Sequence, residues 1–117
     1  MYGNIQDFSN SLKYYKLALE NEEELFNKNP DVYRNSIAFT QNNLGTLYSY
    51  IQDLASSVRY YQMALENFEL LFNQDPNTYR AALSATQNNL GALYSSLQDY
   101  ENSERYYKLA LENREIL

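Results

Sequence analysis

The chain repeats itself, and this restricts its fold more than any other feature. Gln6-Asp7, Gln52-Asp53 and Gln98-Asp99 stand 46 residues apart, as do Tyr14-Tyr15, Tyr60-Tyr61 and Tyr106-Tyr107 and the ALEN segments that start at Ala18, Ala64 and Ala110. The segment Thr40 to Gly45 (TQNNLG) returns unchanged at Thr86 to Gly91, and Asn29-Pro30 returns as Asp75-Pro76. Residues 41–71 and 87–117 agree at 20 of 31 positions, which chance does not produce, so the fold must build one unit over and over.

Within each unit the apolar residues recur at three and four: Phe8, Leu12, Tyr15 and Leu19 in one copy, and Leu54, Val58, Tyr61 and Leu65 in the next. That is the period of a helix. With 3 Gly and 2 Pro set against 13 Tyr and 5 Phe, the chain is unlike a sandwich of short strands and unlike a flexible linker. Pro30 and Pro76 suit the first turn of a helix, where the missing N–H is not needed, and Asn29 and Asp75 are candidate caps. The first helix of each pair, helix A, is expected to run to about Tyr50 or Ser96. After a short junction, Asp7, Asp53 and Asp99 can open helix B, which extends to about Asn27 or Asn73. Neither helix can cover its apolar stripe alone, so neighbouring hairpins must stack. The expected fold is all-α, an array of antiparallel helix pairs over residues 1–117. Residues 1–29 form a partial unit, mainly helix B, residues 30–75 a full unit, and residues 76–117 a unit truncated in helix B.

Composition removes several functions. The 9 basic and 15 acidic residues leave a net charge of -6, which repels phosphate backbones and anionic lipid headgroups, so neither nucleic acid nor membrane is an expected partner. There is no His and no Cys. This removes the usual zinc ligands, the thiol nucleophile and the commonest general base. No phosphate-binding glycine loop is present, so no enzyme, metal site or cofactor is expected. Without Cys there is no disulfide argument for an extracellular setting, and a cytoplasmic one is expected. No run of about 18 apolar residues offers a membrane span.

Leu44-Gly45, Tyr48, Tyr61, Ala64 and Pro76 together resemble the tetratricopeptide pattern of Leu-Gly, Tyr, a large aromatic, Ala and a terminal Pro. The departures are systematic. Pro76 comes about seven residues late and helix A starts about five early, which accounts for 46 residues in place of the usual 34; the family's early Trp position holds Gln41 and Gln87, and its first small position in helix B holds Ser57 and Ser103. The Asn-Asn-Leu-small-x-Leu-Tyr run and the Ala-Leu-Glu segment resemble the long-repeat subclass typified by kinesin light chains. The resemblance implies a right-handed superhelical solenoid whose A helices line a concave groove that binds protein or peptide.

Gly45 and Gly91 fall inside helices, where Gly is about 1 kcal/mol worse than Ala, so close approach of helix B is expected, with Ala18, Ala64 and Ala110 as the small counterparts. Tyr14, Tyr60 and Tyr106 are expected to form a stacked column in the core. Asn42, Asn43, Asn88 and Asn89 are poor helix formers in the middle of helix A, and an amide offers both a donor and an acceptor. By the resemblance, Asn43 and Asn89 correspond to an asparagine ladder that grips a peptide backbone; the alternative is that these amides bond between neighbouring A helices and hold the stack in register. Phe39, Thr46, Ser49 and Tyr50, with Ala85, Ala92, Ser95 and Ser96 in the next copy, would share that uncharged face. Arg34 and Arg80 are the only basic residues on these helices and are expected to be solvated or paired with a nearby acid such as Asp31, so a carboxylate clamp is not expected. Glu22, Glu23 and Glu24 point in different directions on a helix and read as a solvated face.

The ends bear on function too. Tyr2 holds the register of Tyr48 and Leu117 that of Leu71, so the array opens and closes within helices, and the C-terminal edge with Ile116 and Leu117 is expected to self-associate. Glu22 and Glu24, where the next copy has Phe68 and Leu70, suit the first helix to an outer position. The expected function is a peptide-binding interaction scaffold. The alternative is a spacer or self-associating array, consensus-like or engineered, with no ligand.

Overall fold

A computed structural model describes residues 5–115, with side chains described from Asp7 to Asn113. Tyr2, Ile116 and Leu117 therefore lie outside the described residues. Five helices follow one another: α1 (Ile5–Lys28), α2 (Pro30–Tyr50), α3 (Leu54–Gln74), α4 (Pro76–Ser96) and α5 (Tyr100–Glu115). The described residues hold no strand. In the terms used above, α2 and α4 are A helices, and α1, α3 and α5 are B helices. The A helices begin at the two prolines, as the missing N–H of Pro predicts.

The helix starts differ in their caps. Asp53 accepts from Ser56 N at 3.2 Å and from the Ser56 hydroxyl at 2.9 Å, and Asp99 accepts from Asn102 N at 3.2 Å and from its amide at 2.7 Å. Asp75 accepts from Thr78 N and, at 2.6 Å, from the Thr78 hydroxyl. Asn29 makes no side-chain cap, contrary to expectation. It has one acceptor oxygen in place of two, and the residue three positions on is Val32, which has no hydroxyl to hold it. Asp7 lies in the first turn of α1 instead of before it, because α1 already starts at Ile5.

Each A helix turns into its B helix through a left-handed residue, Gln52 (φ 66) or Gln98 (φ 61). Gln52 N donates to Ser49 O and Asp53 N to Tyr48 O; Gln98 N and Asp99 N do the same to Ser95 O and Tyr94 O. This pair of bonds closes the last turn of the helix and sends the chain back. Within the α2/α3 hairpin Gly45 meets Ser57, Thr46 meets Tyr61 and Gln41 meets Asn67, so the two helices run antiparallel. The molecule measures 40 × 38 × 23 Å. Its least dimension is that of two helix layers, since each helix with side chains is about 10 Å across: α2 and α4 in one layer, α1, α3 and α5 in the other.

The core falls into two clusters, one built around Tyr61, Phe68 and Leu90 and the other around Leu44, Tyr48 and Tyr60. Leu44, Ala64 and Leu90 are wholly buried and Phe68 nearly so. Burial of such a Leu or Phe side chain contributes about 1.5–3 kcal/mol. Tyr48 stacks on Tyr60 with ring centroids 5.5 Å apart and planes 4° from parallel, and Tyr94 stacks on Tyr106 at 5.7 Å and 3°. The stacks therefore join helix A to helix B, and the expected column of Tyr14, Tyr60 and Tyr106 does not form. Tyr60 and Tyr106 are buried, whereas Tyr14 is 68% exposed because no helix A lies over it among the described residues.

Candidate peptide-binding surface

A helix turns about 100° per residue, so Phe39, Asn42, Asn43, Thr46, Ser49 and Tyr50 fall on one face of α2, and Ala85, Asn88, Asn89, Ala92, Ser95 and Ser96 on the same face of α4. Exposure agrees with that geometry. Phe39, Asn43 and Tyr50 are exposed, as are Ala85, Ala92, Ser95 and Ser96, while Asn42, Thr46, Ser49, Asn88 and Asn89 are half-buried. None of these positions carries a charge.

The amides divide into two sets. Asn42 accepts from the Thr86 hydroxyl at 3.0 Å, a bond from one A helix to the next, so this side chain sets the register between α2 and α4. Asn43, Asn88 and Asn89 make no side-chain hydrogen bond within the described residues. Beside them, Phe39 meets Phe68 edge-on at 4.9 Å, and Phe68 is itself 1% exposed, so the exposed ring is braced from below by the core. Thr46 shares a hydrogen bond of 2.8 Å with the Tyr61 hydroxyl. Burial pushes the Tyr61 phenol above its usual range, an effect the Thr46 bond partly offsets. In the second copy Ala85 and Ala92 replace Phe39 and Thr46, so the α4 side of the face is flat and small where the α2 side is aromatic.

The basic residues play another part than expected. Arg34 donates to Asn67 Oδ1 at 2.9 Å and lies 5.1 Å from the Phe26 ring centre, and Arg80 lies 5.7 Å from Phe72. Each guanidinium thus covers an aromatic ring of the preceding B helix, where cation–π attraction outweighs a screened surface ion pair. Among the described residues no group of three acidic, His or Cys side chains could hold a metal ion. No described helix is long and apolar enough to cross a membrane.

Two contacts were not foreseen from the residues. The Ser57 hydroxyl donates to Gly45 O at 2.7 Å, and Ser103 to Gly91 O at 2.8 Å. Gln41, only 3% exposed, accepts from Asn67 Nδ2 at 2.8 Å, and Gln87 accepts from Asn113 Nδ2 at 2.6 Å. The signal was present: Asn21, Asn67 and Asn113 stay unchanged while the residue directly after each one varies (Glu22, Phe68, Arg114), and a polar residue held fixed on a packed face needs a partner. The neighbour of each glycine is also not the expected one. A Cβ at Gly45 would meet the Tyr61 ring, and one at Gly91 the Tyr107 ring, so Ala64 and Ala110 are buried without being the glycines' counterparts.

Known proteins support this architecture. The chain is similar in structure to BtubC (BKLC) from P. vanneervenii, with a TM-score of 0.75 and 24% identity, over 96% of this chain and 41% of that one. At that identity the likeness shows the fold, and the chain spans less than half the length of this neighbour. No curated protein matches the sequence. The sequence pattern described as Tetratricopeptide repeat matches residues 36–116, well over half of the chain. With the paired helices, the Leu-Gly contacts and that match in agreement, the chain belongs to the tetratricopeptide repeat family.

Proposed function

We propose that this chain is a protein- or peptide-binding scaffold whose ligand lies along the exposed face of α2 and α4. The carrying observation is a contrast among chemically identical side chains: Asn42 is committed to Thr86, whereas Asn43 is exposed with no hydrogen-bond partner among the described residues. Asn89 is half-buried and likewise unengaged among the described residues. A mid-helix amide that neither packs nor bonds is costly to keep, and gripping a peptide backbone is a use for it. Phe39 and Tyr50, exposed at 45% and 63%, give an apolar or aromatic ligand side chain a surface on the α2 side. The small residues of α4 leave room for the backbone. Asn42, Asn88, Thr46, Ser49 and Ser95 border this face. An uncharged segment suits such a surface better than a charged one. The function requires no chemistry by the chain itself, in keeping with a family whose members are in general non-enzymatic scaffolds. A right-handed superhelical continuation of the stack and a cytoplasmic setting belong to the same reading.

The test is to pan a random peptide library against the immobilised chain and measure the selected peptides on Asn43→Ala, Asn89→Ala and Phe39→Ala. Peptides that weaken about tenfold on loss of either amide or of the ring support the groove. Failure to select any peptide, or peptides indifferent to all three changes, leaves the spacer reading in its place.

A further inference from the structure

The outer side of the B-helix layer, away from α2 and α4, carries one charge pattern three times. On α3, Arg59, Met63 and Glu66 stand at i−4, i and i+3, a spacing that puts them in one stripe along a helix turning about 100° per residue. Lys13, Leu17 and Glu20 keep that spacing on α1, and Arg105, Leu109 and Glu112 keep it on α5. The stripe lies opposite the buried side of each helix: every one of these side chains is exposed except Met63, which is half-buried. Since the three B helices run parallel, the stripes align into a basic row, an apolar row and an acidic row.

The two charged rows do not neutralise each other within the molecule. Seven residues along a helix span about 10.5 Å, too far for the contacts that residues three or four apart make. Arg59 shares a cleft between α1 and α3 with Glu20 and Glu23, yet it pairs with neither among the described residues. It is turned onto Tyr60, 5.0 Å from the ring centre, as Arg105 is onto Tyr106 at 4.7 Å. Those rings are fixed by their stacks on Tyr48 and Tyr94, so the cations are held in place without a counter-charge. The ion pair found among the described residues, Lys108 with Glu104 at 3.0 Å, uses no carboxylate of the acidic row. Beside that row, burial and the Glu66 charge push the Glu69 carboxyl above its ordinary value.

We propose that two copies of this chain pair through these outer faces about a two-fold axis that runs along the apolar row. Such an axis reverses the helices of the second copy and lays its acidic row on the basic row of the first. Arg59 then meets the partner's Glu66, Lys13 the partner's Glu20 and Arg105 the partner's Glu112, and each contact forms twice because the interface is isologous. Leu17, Met63 and Leu109 each meet their own counterparts on the axis. The other two-fold axis open to facing layers, parallel to the helices, sets basic row on basic row and is opposed by repulsion. One chain therefore carries both halves of the match, which is why the occupant is a second copy. About a dozen residues per partner is roughly half the number in a standard interface, so the dimer is weak and forms with concentration. The face lies on the opposite side from the exposed surface of α2 and α4, so pairing does not depend on the peptide-binding reading.

The test is sedimentation equilibrium of the full chain up to millimolar concentration, with two charge reversals at exposed positions. Arg59→Glu and Glu66→Arg each set like charges opposite one another, and each should weaken the dimer at least about tenfold. Mixed together, the two variants bring an all-acidic stripe of one α3 onto an all-basic stripe of the other. The mixture should associate more tightly than either variant alone, and a chain carrying both changes should regain the parent's association. The proposal is overturned if the parent chain stays monomeric at millimolar concentration. It is also overturned if both single variants associate as the parent does, which places the contact on another edge of the array, or if neither the mixture nor the double variant recovers what the single changes lose.

Discussion

The Tyr61 ring fills the space that a methyl group on residue 45 would need: a Cβ built on Gly45 would lie 2.7 Å from Tyr61 Cδ1 and 2.8 Å from Cγ. Real Cβ atoms are not found that close to a ring, and the ring is 4% exposed, so it has nowhere to go. Gly45→Ala should gain about 1 kcal/mol of helix propensity and lose more than that to overpacking, for a net destabilisation of about 1–2 kcal/mol. At Gly91 the nearest approach is 2.9 Å and the facing Tyr107 ring is 41% exposed, so it can swing outward. Gly91→Ala should therefore lie within about 0.5 kcal/mol of the parent. Urea unfolding of both variants checks the difference; equal costs would show that ring freedom does not decide it.

Gln41 and Asn67 form a pair that is costly to break and cheap to delete. Asn67→Ala leaves the buried Gln41 oxygen without its donor and strips Arg34 of its acceptor, and should cost about 1–3 kcal/mol. Changing both Gln41 and Asn67 to Leu removes the stranded Gln41 oxygen together with its donor and leaves only Arg34 without its acceptor. The double variant should be more stable than Asn67→Ala alone, and a double-mutant cycle built from Gln41→Leu, Asn67→Leu and the pair measures the coupling.

The turns between A and B helices hold Gln52 and Gln98 in the left-handed region, which side chains adopt at a cost of about 1 kcal/mol. Glycine adopts it freely. Gln52→Gly and Gln98→Gly should each stabilise the chain by about 0.5–1 kcal/mol, less the entropy glycine adds to the unfolded state. A fall in thermal midpoint for both would show that the glutamine side chains make contacts worth more than the strain.

Burial raises the phenol of Tyr61, and likewise that of Tyr94, whose neighbours Tyr106 and Asp99 push the same way. For an acid whose folded value lies above its unfolded one, the stabilisation is complete below the unfolded value, about 10 for tyrosine, and is lost as pH rises through the folded value. Stability should hold constant near neutrality and fall above about pH 10. Tyr61→Phe should flatten part of that decline while lowering stability at neutral pH through the lost Thr46 bond. Urea midpoints across the alkaline range test both halves.

Much of this was legible in the residues. Pro30 and Pro76 mark the starts of α2 and α4 because proline lacks the N–H a first turn does not use, and Asp53 and Asp99 mark the next starts because a short carboxylate reaches the free amides. The groove amides were legible as a group but not individually. Asn42 and Asn43 are adjacent and identical in type, and only the position of Thr86 on the neighbouring helix separates the one that holds the register from the one left free.

Local chemistry and repetition by themselves determined where the helices begin, how they pair and that they stack, because those outcomes depend on backbone donors, periodicity and a pattern written more than twice. Tertiary structure alone decided that Tyr61, and not Ala64, sits against Gly45, that Tyr60 stacks on Tyr48 instead of on its own copies, and that Ala18 is exposed while Ala64 is buried. The reason is physical. Which side chain fills a gap depends on the distance and angle between two helices, and whether a face is covered depends on the presence of a neighbour; neither is a property of the residue that occupies the position.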